Sequence, residues 1–249
     1  MPRANRYFCA GHIWHITHRC HSKAFLLKFA RDRKRWRYWL FQAKKRYGLC
    51  VLNYVITSNH IHLLVVDDGR NEISASMQLI AGRIAQEFNK RKNRGGAFWE
   101  DRYHATAVQS DEHLIRCLIY IDLNMVRAGV VGHPQEWPDA GYKEIQSPPT
   151  RYRIIDQQRL LQLTRHKHWQ EFSRSHERWI CENLKNPDKP REPQWTECIA
   201  VGNKAYVQKV QTQLGALVKQ RSTKEVGVDW MLKEPRDTYQ SFLIEKPAL

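Results

Sequence analysis

The sequence predicts an α+β protein: an antiparallel β-sheet with helices packed on it, followed by a helical C-terminal extension. Three observations lead there. Short runs rich in β-branched and aromatic residues alternate with longer stretches whose apolar residues recur every three or four positions. Two of the short runs are separated only by Ser58-Asn59, turn chemistry that joins antiparallel neighbours. Past Pro148-Pro149, polar helical patterns take over. Two units are therefore expected, a domain over 1–147 and an extension over 148–249.

In chain order, residues 10–17 read as a first strand. A helix is expected over 22–47, capped by Ser22 and ended by Gly48, with Phe25, Phe29, Trp36, Leu40, Ala43 and Tyr47 as its apolar stripe. Strands over 49–57 and 60–66 follow, then a loop at 67–71. A helix over 73–92 presents Met77, Ile80, Ile84 and Phe88 on one face, and Gly95-Gly96 breaks it. Residues 97–109 enter another strand. Ser110 or Asp111 caps a helix that carries Tyr120 and Asn124 and ends near Ala128-Gly129. The extension reads as a helix over 156–183, a linker over 186–193 and a helix over 204–220.

Charge narrows the partner. Lys and Arg outnumber Asp and Glu 41 to 25, a formal charge of +16. Such an excess suits a polyanion, and aromatic residues at 11% supply stacking surfaces for single-stranded nucleic acid. A basic protein that binds ribosomes or acidic lipid is the alternative. The N-terminus lacks the apolar core of a signal peptide, and no window is apolar enough to span a bilayer. The six cysteines form no Cys-x-x-Cys pair, so reduced thiols in a cytoplasmic chain are expected.

The chemistry centres on His60 and His62. Residues two apart on a strand share a face, so the two imidazoles project together and can grip one divalent ion. Tyr120 and Asn124 are four apart on a helix and also share a face. Packed beside the hairpin, that helix would give the ion an oxygen ligand from Asn124 and stand Tyr120 next to it. Two other histidine patterns are set aside. His12, His15, His18 and His21 recur every third residue, a step that alternates faces on a strand, so they are taken as packing and surface residues. His166 and His168 lie in helix-like sequence, where residues two apart diverge.

Four segments carry a family resemblance. Asn59-His60-Ile61-His62-Leu63-Leu64 resembles the His-hydrophobe-His motif of HUH single-tyrosine transposases. Trp14-His15-Ile16-Thr17-His18-Arg19, the segment Gly95 to Ala105 around Phe98-Trp99-Glu100-Asp101-Arg102-Tyr103, and Tyr120-Ile121-Asp122-Leu123-Asn124-Met125-Val126-Arg127-Ala128-Gly129 are similar to motifs of its REP-associated (RAYT), IS200-like branch. Order and separation agree over roughly residues 5–145.

The resemblance implies a ferredoxin-like HUH nuclease core, Tyr120 as nucleophile, and His60, His62 and Asn124 as ligands of Mg²⁺ or Mn²⁺. Met125 stands where the family usually has proline, which implies a less kinked helix. The implied reaction cleaves and rejoins single-stranded hairpin DNA, such as a REP-like palindrome, through a 5′-phosphotyrosine. Such DNA would lay its backbone on Arg31, Lys34, Arg35, Lys44 and Lys45 and on Lys90, Arg91, Lys92 and Arg94, with Arg102 and Arg127 clamping the reacting phosphate. The chain would act as a monomer or homodimer. A relaxase or replication initiator, a non-cleaving nucleic-acid-binding protein and a zinc hydrolase are the alternatives.

Overall fold

The computed structural model describes residues 9–185, 192–218, 221–227 and 229–233. Its first half runs β1 (Ile13–Arg19), α1 (Ala30–Tyr47), β2 (Cys50–Ile56), β3 (His60–Val66), α2 (Glu72–Lys92) and β4 (His104–Val108). The four strands lie in the order β2-β3-β1-β4, all antiparallel. That is the split β-α-β arrangement of ferredoxin-like folds. The α+β class and the hairpin at 58–59 are as the sequence leads one to expect.

Strand alternation gives the sheet two different faces. Thr17 pairs with both His62 and His104, and Val55 with His62, so His15, Thr17, Asn53, His60 and His62 share one face. The opposite face carries Trp14, Ile16, Tyr54, Ile61 and Leu63, all buried. α1 and α2 cover it with Trp36, Leu40, Ala43, Met77, Ile80 and Ile84. Trp99 marks the same side: it stacks on His18 at 4.0 Å and its indole donates to Ala81 O of α2 at 3.1 Å.

After β4 the chain crosses to the histidine face as α3 (Glu112–Asp122), α4 (Asn124–Arg127) and α5 (Tyr142–Gln146). Asn53 Nδ2 of β2 donates to Asp122 Oδ1 at 3.0 Å and so pins α3 to the sheet. Gly141 makes room for that amide: a Cβ there would stand 2.1 Å from Asn53 Oδ1. The extension follows as α6 (Gln157–Thr164), α7 (Trp169–Leu184), α8 (Gln194–Glu197), β5 (Cys198–Gly202), α9 (Lys204–Leu214), β6 (Thr223–Val226) and β7 (Asp229–Lys233). The boundary expected at 147–148 falls in the loop between α5 and α6.

Several boundaries differ from expectation. α1 starts at Ala30 because Ser22 and Lys23 take left-handed φ values of 52° and 57°, which end regular structure there. Leu27 is buried, whereas Phe25 and Phe29 are 66% and 57% exposed and lie off the stripe. The fourth strand is confined to 104–108. The helix expected over 156–183 breaks at Arg165 (φ 58°), so His166 and His168 sit in a turn between α6 and α7. The last expected helix ends at Leu214, before Gly215 at φ 53°. Of the linker expected over 186–193, residues 186–191 lie outside the described residues, as do 219 and 220.

The helical extension also adds strands. β5 lies parallel to β4, pairing Ala107 with Ala200 and Val108 with Val201, and β7 and β6 continue antiparallel from it. The result is one seven-stranded sheet in the order β2-β3-β1-β4-β5-β7-β6. No helix among the described residues is long and apolar enough to cross a membrane.

Candidate active site

The turn before β3 orients the first histidine. Thr57 Oγ1 donates to His60 O at 2.8 Å, so His60 Nδ1 donates instead to Asn59 Oδ1 at 2.7 Å. The Asn59 amide is itself held by its Nδ2, which donates to Lys23 O at 3.1 Å. His60 is thereby left with Nε2 as its open nitrogen. Two residues on, His62 is 2% exposed, and its Nε2 lies 2.9 Å from the Asn124 amide. That amide also hydrogen-bonds His60. Turned about its Cβ–Cγ bond, the same amide presents Oδ1 to that point.

Both imidazoles are neutral near pH 7. Burial, with help from Arg19, lowers His60 to about 4. Burial and the neighbours His60 and His15 hold His62 well below its ordinary value. Metal ligation needs unprotonated nitrogen, so neither ring must lose a proton to bind an ion. Two imidazole nitrogens and an amide oxygen can hold one divalent ion with positions left open. Among the described residues, no three His, Cys, Asp or Glu side chains form a cage of their own. The donor set therefore fits an open site better than a closed structural one.

Tyr120 stands against this pair. Its ring is edge-on to His62 with centroids 5.7 Å apart, edge-on to His15 at 5.9 Å, and tilted to Trp195 at 6.3 Å. The Arg127 guanidinium lies over it, 4.2 Å from the ring centroid, and also donates to Tyr120 O. Burial lowers the Arg127 pKa, and attraction to the Tyr120 phenol partly offsets that. α3 does break at Leu123 (φ −79°, ψ 4°) although Met125 replaces proline, contrary to the smoother helix expected. The hydrogen bonds Leu123 N to Ile119 O and Arg127 N to Leu123 O carry the helical path across the break. Asn124 consequently stays on the face of Tyr120.

A cleft of about 710 Å³ collects these groups. His60, His62, Tyr120, Asn124, Arg102 and Arg127 all line it. Thr196 and Glu197 from the extension form part of its wall. His15 is the residue that sequence reasoning missed. It is fully buried, its Nδ1 bonds Trp195 O at 2.8 Å, and its Nε2 lies 2.9 Å from His62 Nδ1. The period-two rule already puts His15 on one face of its strand; that β1 lies beside β3 is not readable locally. The packing and surface reading does hold for its neighbours: His12 bonds Gln213 and Tyr206, His18 stacks on Trp99, and His21 is exposed.

The other basic residues gather elsewhere. Arg31, Lys34, Arg35, Lys90 and Arg91 line a groove of about 900 Å³ between α1 and α2, on the sheet face opposite the histidine pair. Arg35 pairs with Glu87, Arg91 with Asp32, and Arg94 ties its own loop through Asn89 and Ala97. Lys44 donates to Ile154 O at 2.8 Å, while Lys45 is exposed. Lys92 sits 5.6 Å over the Phe29 ring.

Residues 9–124 match the family model described as Transposase IS200 like. Two solved structures are similar to part of the chain. One is a REP-associated tyrosine transposase bound to a REP hairpin, 18% identical, covering 63% of this chain and 94% of its own, with a TM-score of 0.49. The other is a putative transposase from Deinococcus radiodurans R1, 13% identical, covering 51% and 95%, with a TM-score of 0.35. Both likenesses are distant. No curated protein matches the chain.

Proposed function

We propose, for a chain whose residues 9–124 match the IS200-like transposase family model, that it cleaves and rejoins single-stranded hairpin DNA with Tyr120 as nucleophile. The observation that carries this is the grouping of the Tyr120 phenol with the His60, His62 and Asn124 donors in one cleft. The phenol oxygen would attack phosphorus, forming a 5′-phosphotyrosine while the 3′-oxygen leaves with a proton. Attack of a 3′-hydroxyl on that linkage reverses the step and joins a new end. Phosphodiester energy is kept throughout, so no ATP is needed.

His60, His62 and Asn124 would hold a Mg²⁺ or Mn²⁺ ion, which supplies charge stabilisation at the phosphate oxygens when bound. Arg127 favours the phenolate by its charge over the ring, and Arg102 reaches the same cleft to hold the phosphate. The α1–α2 groove would take the backbone of the hairpin stem away from the reacting strand.

The test is incubation with single-stranded hairpin DNA and Mg²⁺ or Mn²⁺, followed by denaturing electrophoresis. A denaturation-resistant adduct is expected, and Tyr120→Phe should abolish it while DNA binding persists. DNA binding without any adduct from the wild type would instead identify a non-cleaving binding protein. Activity that survives Tyr120→Phe would point to a hydrolase.

A further inference from the structure

Hydrogen-bond donors and acceptors around His62 form a chain with only one consistent direction. A backbone carbonyl can only accept, so His15 Nδ1 must donate to Trp195 O across 2.8 Å. Both rings are buried, at 0% and 2% exposure, which disfavours a charged imidazole in this stack. A neutral His15 that is protonated at Nδ1 has a bare Nε2. That nitrogen lies 2.9 Å from His62 Nδ1, which must therefore carry the proton. His62 is left with a bare Nε2, facing Asn124 and the cleft.

We infer that His15 is a positioning residue that relays from the Trp195 carbonyl to fix His62 in the Nδ1–H tautomer, with Nε2 as its ligating atom. The relay joins three distant parts of the chain: β1, β3 and α8. The stacked rings, 5.0 Å apart and 10° from parallel, hold His62 in orientation as well as in tautomer. Trp195 is anchored in turn, its indole donating to Glu192 Oε2 at 2.8 Å. It lies beyond residue 124, so a segment outside the family match completes the site. Outer partners of this kind commonly govern how well a histidine binds its ion. The consequence for metal affinity rests on the metal reading above; the tautomer does not.

The experiment uses the metal-free full chain, ¹⁵N-labelled, and long-range ¹H–¹⁵N imidazole spectra. His62 is expected as a single tautomer protonated at Nδ1. In His15→Leu that single tautomer should be lost and Mn²⁺ affinity should fall about 10- to 100-fold. His15→Gln, which keeps one donor and one acceptor, should recover most of the affinity. Wild-type His62 protonated at Nε2 overturns the inference, as does His15→Leu with tautomer and Mn²⁺ affinity unchanged. If His15→Leu does not fold, the wild-type spectrum and His15→Gln still decide. A wild type that binds no Mn²⁺ sinks the metal reading, and the spectrum still judges the relay.

Discussion

The ring of Tyr120 stands edge-on to the ring of His62, 81° between planes with centroids 5.7 Å apart. One comes from α3 and the other from β3, so their meeting depends on how α3 is fixed to the sheet. Two buried polar links do this. Asn53 of β2 donates to one oxygen of Asp122, and His176 of α7 bonds the other at 2.8 Å.

Asp122 and His176 are both fully out of solvent at their side chains, and Gln146 completes the network through His176 Nδ1 at 3.0 Å. Replacing His176 by Leu leaves the buried Asp122 side chain short of a hydrogen-bond partner, a loss of about 1–3 kcal/mol. Adding Asp122→Asn should restore part of that, making the pair non-additive. Denaturant titration of the two single variants and the double variant measures it. Additive losses would mean that the two side chains do not interact.

Acid should destabilise the metal-free protein. His15 is lowered to about 3 and His60 to about 4, both chiefly by burial, and burial also holds His62 well below its ordinary value. Their folded pKa values lie below the unfolded value of about 6.5, so the unfolded chain binds more protons between them. Stability is full above that unfolded pKa and is lost as pH falls through the window toward 4. Each histidine steepens the fall by at most about 1.4 kcal/mol per pH unit. Denaturation in chelator at pH 7, 6 and 5 should show the trend, with His15→Gln shallower than wild type. A flat profile would contradict it.

Arg127 covers the Tyr120 ring from inside the cleft. Removing its charge with Arg127→Gln should slow adduct formation about 100-fold, in the range seen when one preorganised charge stabiliser is lost. Hairpin binding should change far less. Single-turnover adduct rates beside equilibrium binding separate the two effects. An equal loss in both would make Arg127 a binding residue alone.

The α1–α2 groove predicts a salt signature. Arg31, Lys34 and Lys90 are exposed along it. If each neutralises one duplex phosphate, changing all three to Ala should lower the slope of log K against log salt by about 3. Filter binding of a hairpin across a salt series reads that slope. An unchanged slope would place the duplex elsewhere, and the cleft chemistry would be unaffected.

Much of the fold up to residue 147 is legible because its signals are local. The alternation at 60–66 fixes which residues share a face, and the stripe of Met77, Ile80, Ile84 and Phe88 is buried as its spacing implies. The spacing of Tyr120 and Asn124 survives even the break at Leu123. What escapes is set by distant partners. Phe25 and Phe29 continue the α1 stripe on paper, yet left-handed residues 22 and 23 keep that segment out of the helix. β5 has only five residues and is a strand through pairing with β4 and β7. In sequence His15 is one of four histidines spaced by three, and strand order and the arrival of Trp195 O are tertiary facts.

The most direct measurement is peptide mapping of the covalent adduct by mass spectrometry after proteolysis and nuclease trimming. The nucleotide should be found on the α3 peptide, attached to the oxygen of Tyr120. Attachment at another tyrosine, such as Tyr103 or Tyr142, would contradict the assignment of the nucleophile.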